Sequence, residues 1–192
     1  MRSKICYIHG LNQTRHSFNY ISRELEHNGD VFIDYDSHQP MEQSIKQALC
    51  YIPKDEPVIL IGHSLGGMLA MLIAGRHQAQ VERVVTISSP LGGSKAAVFA
   101  RWLALGIPLL NDLMPHSSQV CEIVGRQLDI PVLNVISTVG SLPPSREPND
   151  GVVTVASQRA YRHGKHVAVK ANHFEIMLHD LTVHHLREFI YG

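Results

Sequence analysis

The sequence predicts an α/β domain in which a mostly parallel sheet of about six strands is covered by helices on both faces. Three observations carry that prediction. Strand-like apolar runs alternate with helical patterns along the whole chain. Several runs are continuously apolar rather than alternating in polarity, as strands buried on both faces require. The 192 residues, 44% hydrophobic and 18% charged, suffice for one substantial core. No internal repeat, low-complexity tract or interdomain linker divides the chain, so residues 1–192 are expected to form one domain.

Residues 4–9 read as the first core strand; the apolar run is too short for a signal peptide. A helix is expected over 17–28, ended by Asn28-Gly29 as a C-cap. Residues 30–35 are β-branched and aromatic and read as the second strand. Pro40 can open a helix running to about Tyr51. The third strand covers 57–61, followed by a helix over 65–77 and a fourth strand over 81–88. Residues 131–137 and 166–170 give the last two strands. A closing helix is expected over 174–191, with Phe174, Met177, Leu178, Leu181, Leu186, Phe189 and Ile190 near helical spacing.

Two segments interrupt this alternation. Residues 92–118 include an apolar stretch with the chain's only tryptophan, Trp102, and are too broken to span a membrane. They read as a core helix beside the sheet, as a helical cap over an apolar pocket, or as a dimer contact; the sequence leaves oligomeric state open. Residues 140–150 are rich in Pro and Ser and read as a surface loop. The loop follows a strand end, where open parallel sheets bind ligands.

Composition narrows the partners. Seventeen basic and 17 acidic residues leave no formal net charge, so nucleic acid is not an expected partner. Cys6, Cys50 and Cys121 are odd in number and form no paired motif. With the short N-terminal apolar run, they suggest a reducing, cytoplasmic setting. The 13 histidines include no HExxH spacing, so no metal is expected.

The most specific signal is Gly62-His63-Ser64-Leu65-Gly66-Gly67, directly after the third apolar run and before an Ala/Leu/Met-rich helix. A strand that feeds Gly-x-Ser-x-Gly and then a helix is the sequence form of a nucleophile elbow. The serine stands in a backbone conformation that side chains disfavour, and the flanking glycines let strand and helix approach. The helix N-terminus aims free N–H groups at a developing oxyanion. A serine hydroxyl needs a base, and the base an orienting acid. His173, between the last strand and the closing helix, is the candidate base; Asp150, in Asn149-Asp150-Gly151, is the candidate acid. Glu147 is the nearest competing acid, whereas Asp129 and Asp112 precede the fifth strand. The N–H of Leu65 and that of Leu11, with Asn12 as alternative, are the expected oxyanion donors. His9, Asn12, His63 and Trp102 are candidates for contact with substrate; His63 is not expected to be the base.

His9-Gly10-Leu11, the Gly-His-Ser-Leu-Gly-Gly elbow, Asn149-Asp150-Gly151 with Val152-Val153, and Asn172-His173 lie in one order across nearly the whole chain. In this the chain resembles the α/β-hydrolase superfamily, specifically small bacterial lipase/esterase-like serine hydrolases with a reduced core. The resemblance implies a Ser-His-Asp acyl-transfer site with no cofactor and no required metal. It leaves the acyl group open. The expectation is hydrolysis of a carboxylic ester, on a small-molecule or lipid-like substrate, through an acyl-enzyme. A thioesterase or acyltransferase would share the machinery, and a non-catalytic binding protein on the same fold is the reading from a different class.

Overall fold

The computed structural model describes residues 3–77, 80–94, 108–142 and 146–192. Six strands lie in one sheet: β1 (Lys4–Ile8), β2 (Val31–Ile33), β3 (Val58–His63), β4 (Val81–Ile87), β5 (Val132–Ser137) and β6 (Lys165–Val169). Their order is β2-β1-β3-β4-β5-β6, and every neighbouring pair is parallel. The chain goes from β1 outward to β2 and then returns to place β3 on the other side of β1. That reversal creates a switch point at the C-terminal ends of β1 and β3, the place where such sheets hold ligands.

The helices are α1 (Asn19–Leu25), α2 (Met41–Leu49), α3 (Leu65–Arg76), α4 (Leu109–Asp112), α5 (Ser118–Gly125), α6 (Val155–Gln158) and α7 (Asp180–Tyr191). Alternation along each strand sends side chains to opposite faces. Cys6, Ile8, Val58, Leu60 and Val84 pack against α2, α3 and α5. Ile5, Tyr7, Ile59, Ile61 and Val85 pack against α1 and α7 on the other face. Both faces are therefore buried, which is why the strands are spelled as continuous apolar runs. No helix among the described residues is long and apolar enough to cross a membrane.

Helix α3 is apolar all round, and Leu65 through Ala74 are buried. Its first turn lies against backbone rather than side chains. A Cβ on Gly66 would come within 2.0 Å of the Ile8 carbonyl oxygen, and one on Gly62 within 2.2 Å of the Gly66 carbonyl oxygen. These glycines are required by space, since neither backbone neighbour can rotate away.

Three expectations need correction. The first helix ends at Leu25, not at Asn28-Gly29: Glu26 takes a left-handed conformation, φ 50°, and its N–H bonds to the Ser22 carbonyl. Gly29, φ 89°, belongs to a separate turn before β2. Its N-terminal end also differs, since Arg15–Phe18 forms a 3-10 turn that leads into α1. The expected closing helix is broken: Glu175–Leu178 is a 3-10 turn, His179 is extended, and α7 begins at Asp180. The His179 ring accepts from the Leu181 N–H and so caps α7, while Asn172 Oδ1 accepts from the N–H groups of Phe174 and Glu175. Two local caps outweigh one continuous apolar stripe. Residues 95–107, with Trp102, lie outside the described residues. The rest of the 92–118 segment includes α4, whose Leu109 and Leu110 are buried in the core of the α2–α3 face.

Gly66→Ala is expected to lower stability by at least about 3 kcal/mol, through overpacking against fixed backbone. Gly125→Ala, with nothing within 4 Å of the added Cβ, is expected to be neutral or stabilising by up to about 1 kcal/mol. Urea unfolding of both variants checks the contrast.

Candidate active site

Ser64 sits between β3 and α3 with φ 53° and ψ −120°, a conformation that side chains rarely adopt. The bend is held because Ser64 N–H bonds to the Ile87 carbonyl at 2.8 Å and the Ser64 carbonyl accepts from Gly67 N–H at 3.1 Å. Ser64 Oγ donates to His173 Nε2 at 3.0 Å. His173 Nδ1–H donates to Asp150 Oδ2 at 2.8 Å. The three residues expected from the sequence are thus brought into one hydrogen-bonded chain at the C-terminal edge of the sheet.

Asp150 is buried, 1% exposed, and five donors converge on its carboxylate. Val152 and Val153 N–H bond Oδ1 at 2.9 and 2.7 Å. His173, the Ser137 hydroxyl and the Gln158 amide bond Oδ2. Burial pushes the carboxyl up, but these bonds, led by that from His173, outweigh it and hold the group below the ordinary range. Sequence reasoning missed Ser137 and Gln158. Gln158 also accepts from Ser137 N–H at 3.0 Å and donates to the Ser137 carbonyl at 3.1 Å, clamping the end of β5 to the acid. A serine at a strand end and a glutamine in a short helix carry no sequence signal of that pairing.

His173 is held by its backbone as well. Its N–H bonds to the Asp150 carbonyl at 3.0 Å. Its carbonyl accepts from His63 Nε2 at 2.9 Å. The His63 ring is fully buried, with Nδ1 2.9 Å from the Gln13 side-chain amide. Gln13 Oε1 in turn accepts from Gly10 N–H at 3.0 Å. His63 therefore links the loop after β1 to the loop carrying His173, and does so from behind the cavity wall. His9 is also outside the cavity lining: buried, stacked on Tyr35 at 4.4 Å, with Nδ1 hydrogen-bonded to the Gly10 carbonyl. Neither side chain is among those lining the cavity; one ring nitrogen of each bonds a backbone carbonyl.

A cavity of about 390 Å³ opens above Ser64 and His173, lined by Leu11, Asn12, Leu65, Leu110, Leu113, Val153 and neighbours. Leu11 and Leu65 flank the serine. Asn12 N–H is taken by Ser37 Oγ at 3.2 Å, whereas no acceptor among the described residues takes the N–H of Leu11 or of Leu65. The lining is mostly apolar with few polar groups, the composition of a small-molecule site. Among the described residues, His184, His185 and Glu188 bring three possible metal-ligand atoms within 4.8 Å of one another. They lie on α7, and none lines the cavity.

Comparison with known proteins follows the same lines. The family model described as "Serine aminopeptidase, S33", a hydrolase model, matches residues 41–161. The sn-1-specific diacylglycerol lipase ABHD11 of Mus musculus is 31% identical over 143 residues, covering 65% of this chain and 45% of that protein. The chain thus spans less than half the length of the curated relatives it matches. The mature lipase BlEst2 of Bacillus licheniformis superposes with TM-score 0.71 at 21% identity, covering 98% of this chain and 92% of that one. A structure from the metagenome-derived lipolytic enzymes LipS and LipT superposes with TM-score 0.72 at 13% identity, covering 98% and 93%. At these identities the structural likeness shows a shared fold.

His63 gives the site a pH signature. Burial, then the neighbouring His173, pushes its ring from 6.5 down to about 3. The unfolded chain therefore binds a proton that the folded chain refuses, and the contribution to stability is complete above about 6.5. It is lost progressively as pH falls from about 6.5 towards 3. Unfolding free energies measured between pH 6.5 and 4.5 are expected to fall less steeply in His63→Asn than in the unmodified chain. Equal slopes would mean that His63 is not held neutral.

Proposed function

The chain belongs to the serine aminopeptidase S33-type hydrolase family, an α/β-hydrolase family, and from that premise we propose that it is a serine hydrolase of carboxylic esters. One observation carries the proposal: the Ser64–His173–Asp150 chain of hydrogen bonds opens into a mostly apolar cavity lined by Leu11 and Leu65. The lipase and esterase activities named for structural neighbours and the lipase named for the mouse relative favour an ester over a peptide. A largely apolar wall offers a peptide backbone few partners.

In this reading the ester carbonyl lies over Ser64 with its oxygen toward Leu11 and Leu65. Ser64 Oγ attacks the carbonyl carbon while His173 Nε2 takes its proton. Asp150 stabilises the imidazolium and fixes the ring tautomer through Nδ1–H. The two backbone N–H groups receive the oxyanion, one held by the elbow and the other by the loop after β1, so that little reorganisation is needed. His173 then gives the proton to the leaving alcohol, and the acyl-enzyme is hydrolysed by water activated at the same nitrogen. Asp150 suits its role because it stays ionised although buried.

Ser64→Ala or His173→Ala is expected to lower kcat for p-nitrophenyl esters by on the order of 10⁴-fold, and Asp150→Asn by on the order of 10²–10⁴-fold. A fluorophosphonate probe should label Ser64 and no other serine. An unlabelled Ser64, with no turnover of any ester, favours the non-catalytic binding protein.

Gln158 bonds both Ser137 and Asp150 and touches neither Ser64 nor the cavity. Gln158→Ala is therefore expected to cost on the order of 10-fold in kcat with KM little changed. Gln158→Glu places a second carboxylate beside Asp150 and should cost more, with the acid limb of the kcat profile moved upward in pH.

A further inference from the structure

Beside the Ser64 cavity lies a second depression of about 500 Å³, which shares Gln13 and Phe174 with it. Its apolar surface comes from Phe174, Met177, Leu178 and Tyr20. Phe174 and Leu178 are 59% and 65% exposed, while Ile176 and Met177 between them are buried. Large apolar side chains exposed side by side mark ligand or interaction surfaces, as isolated ones do not, and this pair shares one depression beside Ser64. Both are displayed because the segment after His173 is a 3-10 turn instead of a helix. Arg23, the cation at the rim, is engaged by Glu24 at 3.1 Å and lies 5.4 Å from the Tyr20 ring. Gln13, His16, Ser17 and Asn19 complete the lining, and the apolar surface is the part supplied by Phe174, Met177, Leu178 and Tyr20.

Which part of an ester would enter it follows from the acid–base geometry. The leaving oxygen must come within hydrogen-bond reach of His173 Nε2. The Phe174 ring stands edge-on to the His173 ring at 5.2 Å, on the wall between cavity and groove. We infer that this groove receives the alcohol portion of the substrate, which makes the substrate class esters of apolar, chain-bearing alcohols. The inference rests on the serine ester hydrolase reading. Ser64 Oγ bonds to the acyl carbon, the bond from that carbon to the alcohol oxygen breaks, and the proton taken from Ser64 passes through His173 to that oxygen. The neutral alcohol then leaves along Phe174 and Leu178.

The test compares two ester series: acetates of alcohols from methanol to octanol, and methyl esters of acids from acetic to octanoic. For the unmodified chain, kcat/KM is expected to rise by about tenfold or more from methyl to octyl acetate, as methylenes leave water against a partly open wall. Leu178→Asp and Phe174→Ala are expected to remove most of that rise. Val124→Asp, at an exposed apolar position on α5 that lines neither depression, is expected to keep it. A flat alcohol series, or a rise that survives Leu178→Asp, overturns the groove assignment while Ser64-dependent hydrolysis of the methyl esters upholds the hydrolase reading. A rise along the acid series that Leu178→Asp abolishes assigns the groove to the acyl chain and overturns the inference. Absence of Ser64-dependent turnover in both series overturns the hydrolase reading and the groove with it.

Discussion

The contact on which the rest of the site depends is backbone against backbone. The first turn of α3 rests on the carbonyl end of β1, and Gly66 is the residue that permits it. Bringing α3 this close places the elbow beside the loop after β1, so that Ser64 and Leu11 face one cavity. A methyl group at that contact would meet the Ile8 and His9 carbonyl oxygens and push helix and strand apart. The strained φ of Ser64 is tolerable because bonds from both its N–H and its carbonyl fix the turn. Strain of this kind costs on the order of 1–3 kcal/mol. The apolar helix behind it, buried from Leu65 to Ala74, removes enough surface from water to offset that.

A second constraint is electrostatic. A carboxylate removed from water is costly unless it is paired and hydrogen-bonded. Asp150 meets that condition with backbone donors on one oxygen and side-chain donors on the other. The geometry that satisfies Oδ1 is local, an Asx-type turn over Val152 and Val153, and is legible in Asn-Asp-Gly. The geometry that satisfies Oδ2 is global, because it needs β5, α6 and the His173 loop to meet.

That division explains how far the sequence could be read. The inner strands are visible because burial on both sheet faces demands apolar runs, and the elbow because only glycine fits its contacts. The chain order of Ser64, Asp150 and His173 is visible because parallel strands present successive loops at one edge. The roles of Ser137, Gln158 and Gln13 are invisible: each is a common polar residue whose meaning comes from a partner distant in the chain. His9 and His63 look like substrate contacts from their positions beside the motifs, yet both are buried, and one ring nitrogen of each bonds a backbone carbonyl. The closing helix misleads for a physical reason. Phe174, Leu178 and Leu181 have helical spacing with the core residues, but His179 and Asn172 cap the chain locally, and those three side chains face outward.

The backbone of His173 is bonded at its N–H by Asp150 and at its carbonyl by His63. Such a residue has little freedom beyond its own two side-chain torsions. Opening of the loop that carries it would leave the buried His63 imidazole without the acceptor of its Nε2–H, which sets a cost on local opening. The amide of His173 is thereby expected to exchange more slowly than those of exposed loop residues, since it is buried and bonded to the Asp150 carbonyl.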